Sequence, residues 1–202
     1  MDLKYNKYFD QRIKCPICLS VETKKIFDKP FLNKEIIDFI DIYYNKKIPH
    51  LIFENTNYSI KKCLNCTGMF QEYIFNNLYM GELYESWISK KDSLKKKEDF
   101  SAYNFSRYVN DLEKLSIYLN KKPKDISILE YGMGWGYWSR IAHSMNFDVS
   151  GFEVSKSRIN YASKNNIKII SNIDNLKNMS FDFIYSFAVF DHIANPYETL
   201  KS

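Results

Sequence analysis

Three glycines at alternating positions mark the part of the chain best suited to ligand binding, in the segment Glu130-Tyr-Gly-Met-Gly-Trp-Gly136. Glycines let a backbone turn sharply and approach a ligand without a Cβ in the way. The dinucleotide-binding pattern is Gly-x-Gly-x-x-Gly, whereas the third glycine here comes one residue earlier, and no Gly-Lys-Ser/Thr follows as in a phosphate-binding loop. The spacing of Gly132, Gly134 and Gly136 therefore separates this loop from both types, but does not identify its ligand.

Two carboxylates accompany the glycine loop. Glu130 stands directly before the loop, and Glu153 ends the next apolar run along the chain. A carboxylate at that strand end can accept hydrogen bonds from both hydroxyls of a ribose, as in nucleotide-binding folds. The alternative is that Glu153 serves only as a negative charge at a helix N-terminus, stabilised by the helix dipole. The order of strand, loop, helix and acid favours the ribose role.

Strand and helix patterns alternate around these residues. Apolar runs predict strands at 126–131, 147–152, 167–170 and 181–187. Helices are predicted from the glycine loop to about Asn146, from a Ser155 N-cap to about Asn165, and from Pro196 with Asn195 as N-cap. Strands that alternate with helices imply a parallel sheet with right-handed crossovers. Ligands bind at the carboxyl edge of such a sheet, so we expect the loop and Glu153 there.

The segment before this sheet is predicted to be helical. Apolar residues recur at three- and four-residue spacing between Phe105 and Leu119, as on one face of an amphipathic helix, and Pro123 closes the helix. The lysines between Lys90 and Lys97 favour a solvated linker or helix face over a nucleic-acid patch. These patterns divide the chain into 1–80, 81–122 and 123–202.

The cysteines form two Cys-x-x-Cys pairs, Cys15 with Cys18 and Cys63 with Cys66. Four thiolates suit a tetrahedral structural zinc ion, which we favour over unliganded thiols or a redox pair. The 44 residues between the pairs exceed ordinary ribbon spacing, so they must hold their own structure, with a helix predicted around 31–40. His50 is a conceivable substitute ligand.

Bulk properties narrow the class of protein. The chain has 202 residues, 45% of them hydrophobic, which suits one mid-sized domain with a small appendage. Its net charge of +5 permits an anionic partner but does not indicate nucleic acid. The first seven residues lack the apolar core of a signal peptide, and no apolar run is long enough to span a bilayer. We therefore expect a cytoplasmic protein with no membrane segment.

The segment 128–136 resembles motif I of class I S-adenosylmethionine (SAM) dependent methyltransferases. Glu153 matches the acidic residue of their second strand. The segment 181–196, which begins with Phe-Asp and ends with Asp-His-Ile-Ala-Asn-Pro, resembles their fourth-strand motif, with Asp191 in place of the commoner Glu. The resemblance covers about residues 103–202. It implies a Rossmann-like α/β fold, with the strands in the order 3-2-1-4, and SAM as cofactor.

The resemblance also implies roles for single residues. The three glycines would line the methionyl and ribose parts of SAM, and Glu130 would order the loop and the amino group. Residues expected to flank the adenine or lie near the methyl donor are Val154, Asn172 or Asp174, Ile173, Phe187 and Ala188. His192 is the candidate catalytic base, because a histidine can remove the acceptor's proton near neutral pH. The alternative is that His192 hydrogen-bonds within its loop and only shapes the pocket.

The cysteine region is similar to the N-terminal zinc-binding domain of sugar C-methyltransferases and related enzymes. The segment Cys63-Leu-Asn-Cys-Thr-Gly-Met-Phe-Gln71 carries that similarity. It implies a small-molecule acceptor, such as a nucleotide-linked sugar or another surface-polysaccharide precursor. An RNA methyltransferase with a zinc module is the alternative enzyme.

The last predicted helix stops within about two turns, so the sheet is expected to be incomplete, with strands 1–4 only. An incomplete sheet makes a non-catalytic SAM-binding remnant the alternative to an active methyltransferase. The acceptor atom and the oligomeric state are left undetermined.

Overall fold

The computed structural model describes residues 7–98 and 101–201, which divide into two compact units. One unit consists of the described residues up to Ser89 together with those from Ile193 onward, and the other is Lys90–His192. This division differs from the predicted boundaries 1–80, 81–122 and 123–202, because the helices before the sheet cluster with it. None of the helices in the described part of the chain is long and apolar enough to cross a membrane.

Short antiparallel strands dominate the first unit. Its elements are β1 (Phe9–Gln11), β2 (Thr23–Pro30), α1 (Lys34–Tyr43), a 3-10 turn (His50–Phe53), β3 (Asn57–Cys63), β4 (Met69–Gln71), β5 (Tyr73–Phe75), α2 (Asn77–Glu82) and a wide helical turn (Leu83–Trp87). Strand β1 pairs with β5, and β2, β3 and β4 form a second sheet in that order. Helix α1 begins inside the predicted 31–40 segment and extends three residues beyond it, to Tyr43. The structure therefore contains a helix between the cysteine pairs.

The core of the first unit is largely aromatic. The ring of Phe9 lies 5.2 Å from that of Phe31 and 4.7 Å from that of Phe75. The buried members of this cluster are Phe9, Phe31, Ile40, Ile48, Ile52, Phe53, Leu83 and Trp87. Aromatic side chains bury a large area each, so this small unit obtains a substantial core from few residues.

The second unit is a parallel sheet with helices. Its elements are α3 (Lys90–Glu98), α4 (Ala102–Leu119), a 3-10 turn (Pro123–Asp125), β6 (Ser127–Tyr131), α5 (Tyr137–Ser144), β7 (Asp148–Phe152), α6 (Lys156–Ser163), β8 (Lys168–Ile170), a 3-10 turn (Ile173–Leu176) and β9 (Phe183–Tyr185). The strands are all parallel and lie in the order β8-β7-β6-β9. This is the predicted order 3-2-1-4, and the mixed α/β class is confirmed.

Helix α4 belongs to the core of this unit. Its residues Tyr108 and Leu112 are buried together with Ile126, which directly precedes β6, Ile128 of β6 and Trp138 of α5. The helix ends at Leu119, earlier than the predicted stop at Pro123, because Asn120 adopts a left-handed conformation with φ of 51°. An asparagine tolerates that conformation better than most residues, and it ends helices much as glycine does.

Asp182 joins the beginning of β9 to the beginning of β6. Its carboxylate accepts hydrogen bonds from the Ser127 N–H at 2.9 Å and the Ser127 hydroxyl at 3.0 Å, and from the Lys121 ammonium at 2.5 Å. The hydrogen bonds from Lys121 and Ser127 lower the pKa of Asp182 to about 2. The Phe-Asp motif noted in the sequence therefore has a structural role in setting the register of these strands.

The final helix, α7 (Pro196–Lys201), begins at the proline as predicted and belongs to the first unit. The guanidinium of Arg12 donates to the carbonyl of Ile193 at 3.0 Å and to that of Ala194 at 2.8 Å. The N–H of Tyr197 donates to the carbonyl of Pro16 at 3.3 Å. These bonds hold the last described segment against the loop between β1 and β2, which carries the first cysteine pair.

Candidate functional site

The glycine loop requires glycine conformations at all three positions. Gly132, Gly134 and Gly136 have φ angles of 73°, 59° and 71°, in the left-handed region that side chains disfavour. The N–H groups of Gly132 and Met133 both donate to the carbonyl of Phe152, at 2.9 and 3.0 Å. The loop is thus held at the carboxyl ends of β6 and β7.

The surroundings of the three glycines differ. A Cβ added at Gly132 would lie 2.5 Å from a methyl group of Val189, and one at Gly136 would lie 3.3 Å from the Ala162 Cβ. At Gly134, no heavy atom of another described residue would come within 4 Å. The outer two glycines therefore permit close packing inside the protein, whereas Gly134 faces the space open to a ligand.

The buried side chain of Met133 fixes the glycine loop to the core of the second unit. Its side chain is 4% exposed and packs with Ala162 and Ile167. A Cβ added at Gly151 on β7 would lie 2.1 Å from the Met133 sulfur. Gly151 therefore leaves room for the Met133 side chain because it carries no Cβ.

Glu153 connects the second strand to the loop. One carboxylate oxygen accepts the Gly134 N–H at 2.9 Å, and the other accepts the N–H groups of Val154 and Ser155, each at 2.8 Å. The carboxylate lies 3.9 Å from the Arg158 guanidinium, and the residue is 5% exposed. Two roles were considered for Glu153, acceptor of ribose hydroxyls and negative charge at a helix N-terminus. Each fits part of this geometry, because the carboxylate lies both beside the loop and at the beginning of α6.

The predicted Ser155 cap needs correction. Ser155 occupies the N-cap position of α6, but within the described residues its side chain makes no capping hydrogen bond. Its hydroxyl lies 3.1 Å from the Ser157 hydroxyl, and its N–H is bound by Glu153. The Glu153 carboxylate accepts the N–H of the N-cap residue itself, and its charge interacts favourably with the N-terminus of α6.

Glu130 caps the helix after the loop. Gly136 occupies the N-cap of α5 and has no side chain to accept the orphan N–H groups of the first turn. The Glu130 carboxylate accepts the Ser139 N–H at 2.9 Å and the Ser139 hydroxyl at 2.5 Å instead. Burial raises the pKa of Glu130 to about 7, against the hydrogen bonds from Ser139. Sequence reasoning missed Ser139, although its position three residues after the last glycine is a signal for such a bond.

Trp135 ties the loop to α3. Its indole N–H donates to the Ser93 hydroxyl at 3.1 Å, and its ring meets Tyr161 edge-on at 5.3 Å. The Arg158 guanidinium lies 5.9 Å from the same ring. No sequence pattern identified this contact, because Ser93 lies in a lysine-rich helix with no other marker.

The segment after β9 lies against the loop. The Ser186 hydroxyl donates to the Tyr131 carbonyl at 3.1 Å, and Val189 packs on Gly132. Between them, Phe187 is 60% exposed and Ala188 has a left-handed φ of 53°. Exposure of a large apolar ring beside the loop is consistent with a surface that a ligand covers.

His192 lies at the end of this segment. Its N–H donates to the Val189 carbonyl at 2.9 Å, and its Nε2 lies 3.4 Å from a carboxylate oxygen of Asp191. The imidazole is 58% exposed, so it can reach a ligand. Both roles considered for His192 stay open.

The residues expected near the adenine lie on two turns. Val154 is 70% exposed after β7, and Ile173 is 38% exposed after β8. The side chain of Asn172 accepts the Asp174 N–H at 3.0 Å, which shapes the turn between them. The adjacent strand ends therefore present exposed apolar side chains at the same edge of the sheet as Glu153.

A separate groove of about 390 Å³ lies on the outer side of α5. It is lined by Phe105, Tyr137, Arg140, Ile141, His143, Ser144 and Asn165. None of the predicted cofactor residues lines this groove, and His143 is exposed on the surface of α5.

The four cysteines come together in the first unit. Their sulfur atoms all lie within 4.8 Å of one another, and the pairs Cys15–Cys66 and Cys18–Cys63 are each 3.6 Å apart. Sulfur atoms bound tetrahedrally at about 2.3 Å from zinc would be about 3.8 Å apart, so the spacing fits one ion. Cys15 and Cys63 are fully buried.

Hydrogen bonds and burial shift the pKa values of two thiols of the cluster in opposite directions. A backbone hydrogen bond from Ser20 is the main cause that lowers the pKa of Cys18 to about 6. A backbone hydrogen bond from Gly68 opposes the rise in the pKa of Cys66, which hydrogen bonds with Cys18 and burial bring to about 12. The Cys66 N–H donates to the Cys63 sulfur at 3.5 Å. The cysteines are free rather than paired in disulfides. His50 pairs with Asp41 at 2.8 Å and is not a member of the cluster.

Comparison with known proteins adds the family. Residues 100–202 match a family described as "Methyltransferase domain". No curated protein sequence matches the chain. The plantazolicin methyltransferase BpumL, solved in complex with SAH, is similar with 26% identity and a TM-score of 0.44 over 61% of this chain and 52% of that one.

A TehB-like SAM-dependent methyltransferase from Corynebacterium glutamicum is similar with 17% identity and a TM-score of 0.37, over 55% of this chain and 56% of that one. The chain thus spans about half the length of these solved structures. The family match covers just over half of the chain and includes the glycine loop, Glu153 and His192. The chain belongs to the methyltransferase domain family.

Proposed function

We propose that this protein is a SAM-dependent methyltransferase whose cofactor binds at the carboxyl edge of the β8-β7-β6-β9 sheet. The observation that carries the proposal is the hydrogen bond between the Glu153 carboxylate and the Gly134 N–H, at 2.9 Å. It brings a buried acid that can accept ribose hydroxyls beside the one loop glycine with open space above it.

The surrounding residues support assignments for the rest of the cofactor. The adenine would lie against the exposed side chains of Val154 and Ile173, with the amide of Asn172 beside its polar edge. Gly132, Gly134 and Gly136 would follow the ribose and methionyl parts, with Glu130 keeping the loop in place through α5. Phe187 would lie next to the methyl donor, where its exposed ring can shield the reaction from water.

His192 is the proposed catalytic base. SAM, when bound, supplies a methyl group whose bond to sulfur breaks as a bond to the acceptor nucleophile forms, so the protein mainly positions the two reactants. The acceptor loses a proton, which His192 would take at its imidazole. The turn from Val189 to His192 supports this role, because it holds an exposed imidazole beside the segment that packs on Gly132.

The acceptor is proposed to be a small molecule, such as a nucleotide-linked sugar. That proposal rests on the similarity of the cysteine region to sugar C-methyltransferases. Incubation of the protein with radiolabelled SAM and either nucleotide sugars or total RNA would separate it from the RNA methyltransferase alternative. Tight SAM binding without turnover on any acceptor would favour a non-catalytic remnant.

We further propose that Cys15, Cys18, Cys63 and Cys66 bind one structural Zn²⁺. The sulfur spacing, the burial of two of the thiols and the backbone hydrogen bonds to sulfur all support a closed tetrahedral site. Free thiols and a zinc site are usual in a reducing compartment, which supports a cytoplasmic location.

Calorimetry with SAH tests the cofactor site directly. We expect the wild-type protein to bind SAH, and Glu153→Ala to bind it at least about tenfold more weakly, because a charge-assisted hydrogen bond is worth about 1.5–3 kcal/mol. Glu113→Gln, which changes an exposed carboxylate on α4, is the control and should bind as the wild type does. Absence of SAH binding to the wild-type protein would contradict the proposed function.

A further inference from the structure

Arg107 stands out among the cations of the second unit. Its guanidinium carbon lies 5.9 Å from the ring centre of Phe187 and 5.1 Å from that of Tyr108. No carboxylate of the part of the chain that the structure describes lies within ion-pair distance of it. Contact with aromatic faces stabilises a guanidinium but leaves its N–H donors at the edge of the plane available.

The position of Arg107 relative to the sheet follows from Phe187. That ring belongs to the segment whose two ends contact the loop, through Ser186 on the Tyr131 carbonyl and Val189 on Gly132. Arg107 also acts on the end of β9, since burial raises the pKa of Tyr185 to about 12 and the charge of Arg107 opposes that rise. The guanidinium is therefore close to the carboxyl end of β9.

A second cation approaches from α3. Burial raises the pKa of Glu130 to about 7, and the charge of Lys97 is among the effects that oppose this rise. Lys97 is exposed in the last turn of a helix that is tied to the loop by the bond from Trp135 to Ser93. The charges of Arg107 and Lys97 thus act on Tyr185 of β9 and Glu130 of β6, two residues near the carboxyl ends of neighbouring strands.

We propose that Arg107 binds an acid group of the methyl acceptor, a phosphate or a carboxylate, beside Phe187. This inference rests on the proposed function, which places the methyl donor next to Phe187. A guanidinium presents paired N–H donors that match the oxygens of either anion, and long-range attraction by Lys97 would speed capture. The carboxylate of the cofactor itself would belong with the methionyl part along the glycine loop.

The test uses the full chain saturated with SAH and two anions as probes, inorganic pyrophosphate and citrate. Three proteins are compared by calorimetry: the wild type, Arg107→Ala and Arg140→Ala. Arg140 is a matched control, because its guanidinium also lies over an aromatic ring, 5.3 Å from Tyr137, but it lines the groove on the outer side of α5.

We expect at least one of the anions to bind the wild type and Arg140→Ala equally, and to bind Arg107→Ala about tenfold more weakly. The binding should weaken as salt is raised, because exposed charges are screened. Preference for pyrophosphate would indicate a phosphate-bearing acceptor, and preference for citrate a carboxylate-bearing one. Arg107→Lys should bind with intermediate affinity, since it keeps the charge and loses the paired donors.

Equal anion affinity in Arg107→Ala and the wild type, or no binding of either anion to the wild type, would overturn the inference. So would a loss of SAH affinity in Arg107→Ala, which would assign the guanidinium to the cofactor's carboxylate. Failure of the wild type to bind SAH is a different outcome, because it contradicts the proposed function. The anions would then be titrated into the unloaded proteins, where equal affinity for the wild type and Arg107→Ala still counts against Arg107.

Discussion

The buried carboxylate of Glu130 and the residue Ser139 are joined by two hydrogen bonds that cross the base of the glycine loop. The acceptor is the penultimate residue of β6, and the two donors are the N–H and hydroxyl of the third residue of α5. The loop between them has a glycine at the N-cap, which cannot itself cap the helix. The strand therefore supplies the cap, and Glu130 joins the beginning of the glycine loop to the helix that follows it.

The first prediction concerns pH and Glu130. Because burial raises its pKa from 4.5 to about 7, the folded protein holds this proton over a pH range where the unfolded chain has lost it. Stability from this group is therefore fully present below pH 4.5 and is lost as the pH rises through 7. At about 1.4 kcal/mol per pKa unit, the wild type should lose about 3 kcal/mol between pH 4.5 and 8 from this group alone.

Glu130→Gln should remove this dependence, because it keeps the side chain neutral at all pH values. Urea unfolding at pH 5 and pH 8 measures the difference, with Glu113→Gln as the control for a general charge effect. A variant whose unfolding free energy varies with pH as steeply as that of the wild type would show that Glu130 titrates normally.

The second prediction concerns the packing of Met133 on Gly151. Gly151→Ala places a Cβ 2.1 Å from the Met133 sulfur, so we expect a loss of about 1–3 kcal/mol in the free energy of unfolding and weaker SAH binding. Gly81→Ala is the matched control. That glycine lies in α2, where a Cβ meets no heavy atom of the other described residues within 4 Å, so the change should be neutral or slightly stabilising.

Met133→Ala in the same chain should relieve the clash. The double variant is then expected to lose less stability than the sum of the two single variants, as measured by urea unfolding. If the losses in unfolding free energy of the two single variants add up to that of the double variant, Met133 and the Cβ introduced at 151 do not clash.

The third prediction concerns His192. If the imidazole removes the acceptor's proton, His192→Gln should lower kcat by about 10²–10⁴ and leave the SAH affinity unchanged. His143→Gln, on the exposed surface of α5, is the control and should retain full activity. A change confined to the KM for the acceptor, with the wild-type pH profile kept, would instead assign His192 to pocket shape.

The fourth prediction concerns the cysteine cluster. The purified chain should contain about one zinc per molecule, and a chelator should lower the melting temperature of the first unit, since binding energy at such a site is folding energy. Cys63→Ser removes one buried ligand and should lose most of the metal. Elemental analysis that finds no zinc, or full zinc in Cys63→Ser, would exclude the four-cysteine site.

Local sequence patterns were sufficient for the sheet and for the edge that carries the site. The parallel sheet was predictable from the alternation of strands and helices, and its strand order was implied by the resemblance to class I methyltransferases. The glycine loop was recognisable because its backbone needs φ angles that only glycine adopts readily. The four cysteines were predictable as a set, since their spacing within each pair is that of a metal knuckle.

Other features depend on residues far apart in the chain. The sequence did not indicate that Ser93 would meet Trp135, that Arg12 would hold the carbonyls of Ile193 and Ala194, or that Arg107 would lie over Phe187. Each contact joins side chains that carry no periodic pattern, and their partners become neighbours only after the helices have packed on the strands.

The glycine loop and the acid at the end of the second parallel strand could be located from the sequence alone, because glycine spacing and apolar runs depend on local residue types. The tertiary structure decided which N–H groups Glu130 and Glu153 bind, how Met133 fits over Gly151, and which cation faces the site. Those outcomes depend on distances of a few ångströms between elements, and such distances are set by packing rather than by the pattern within any one segment.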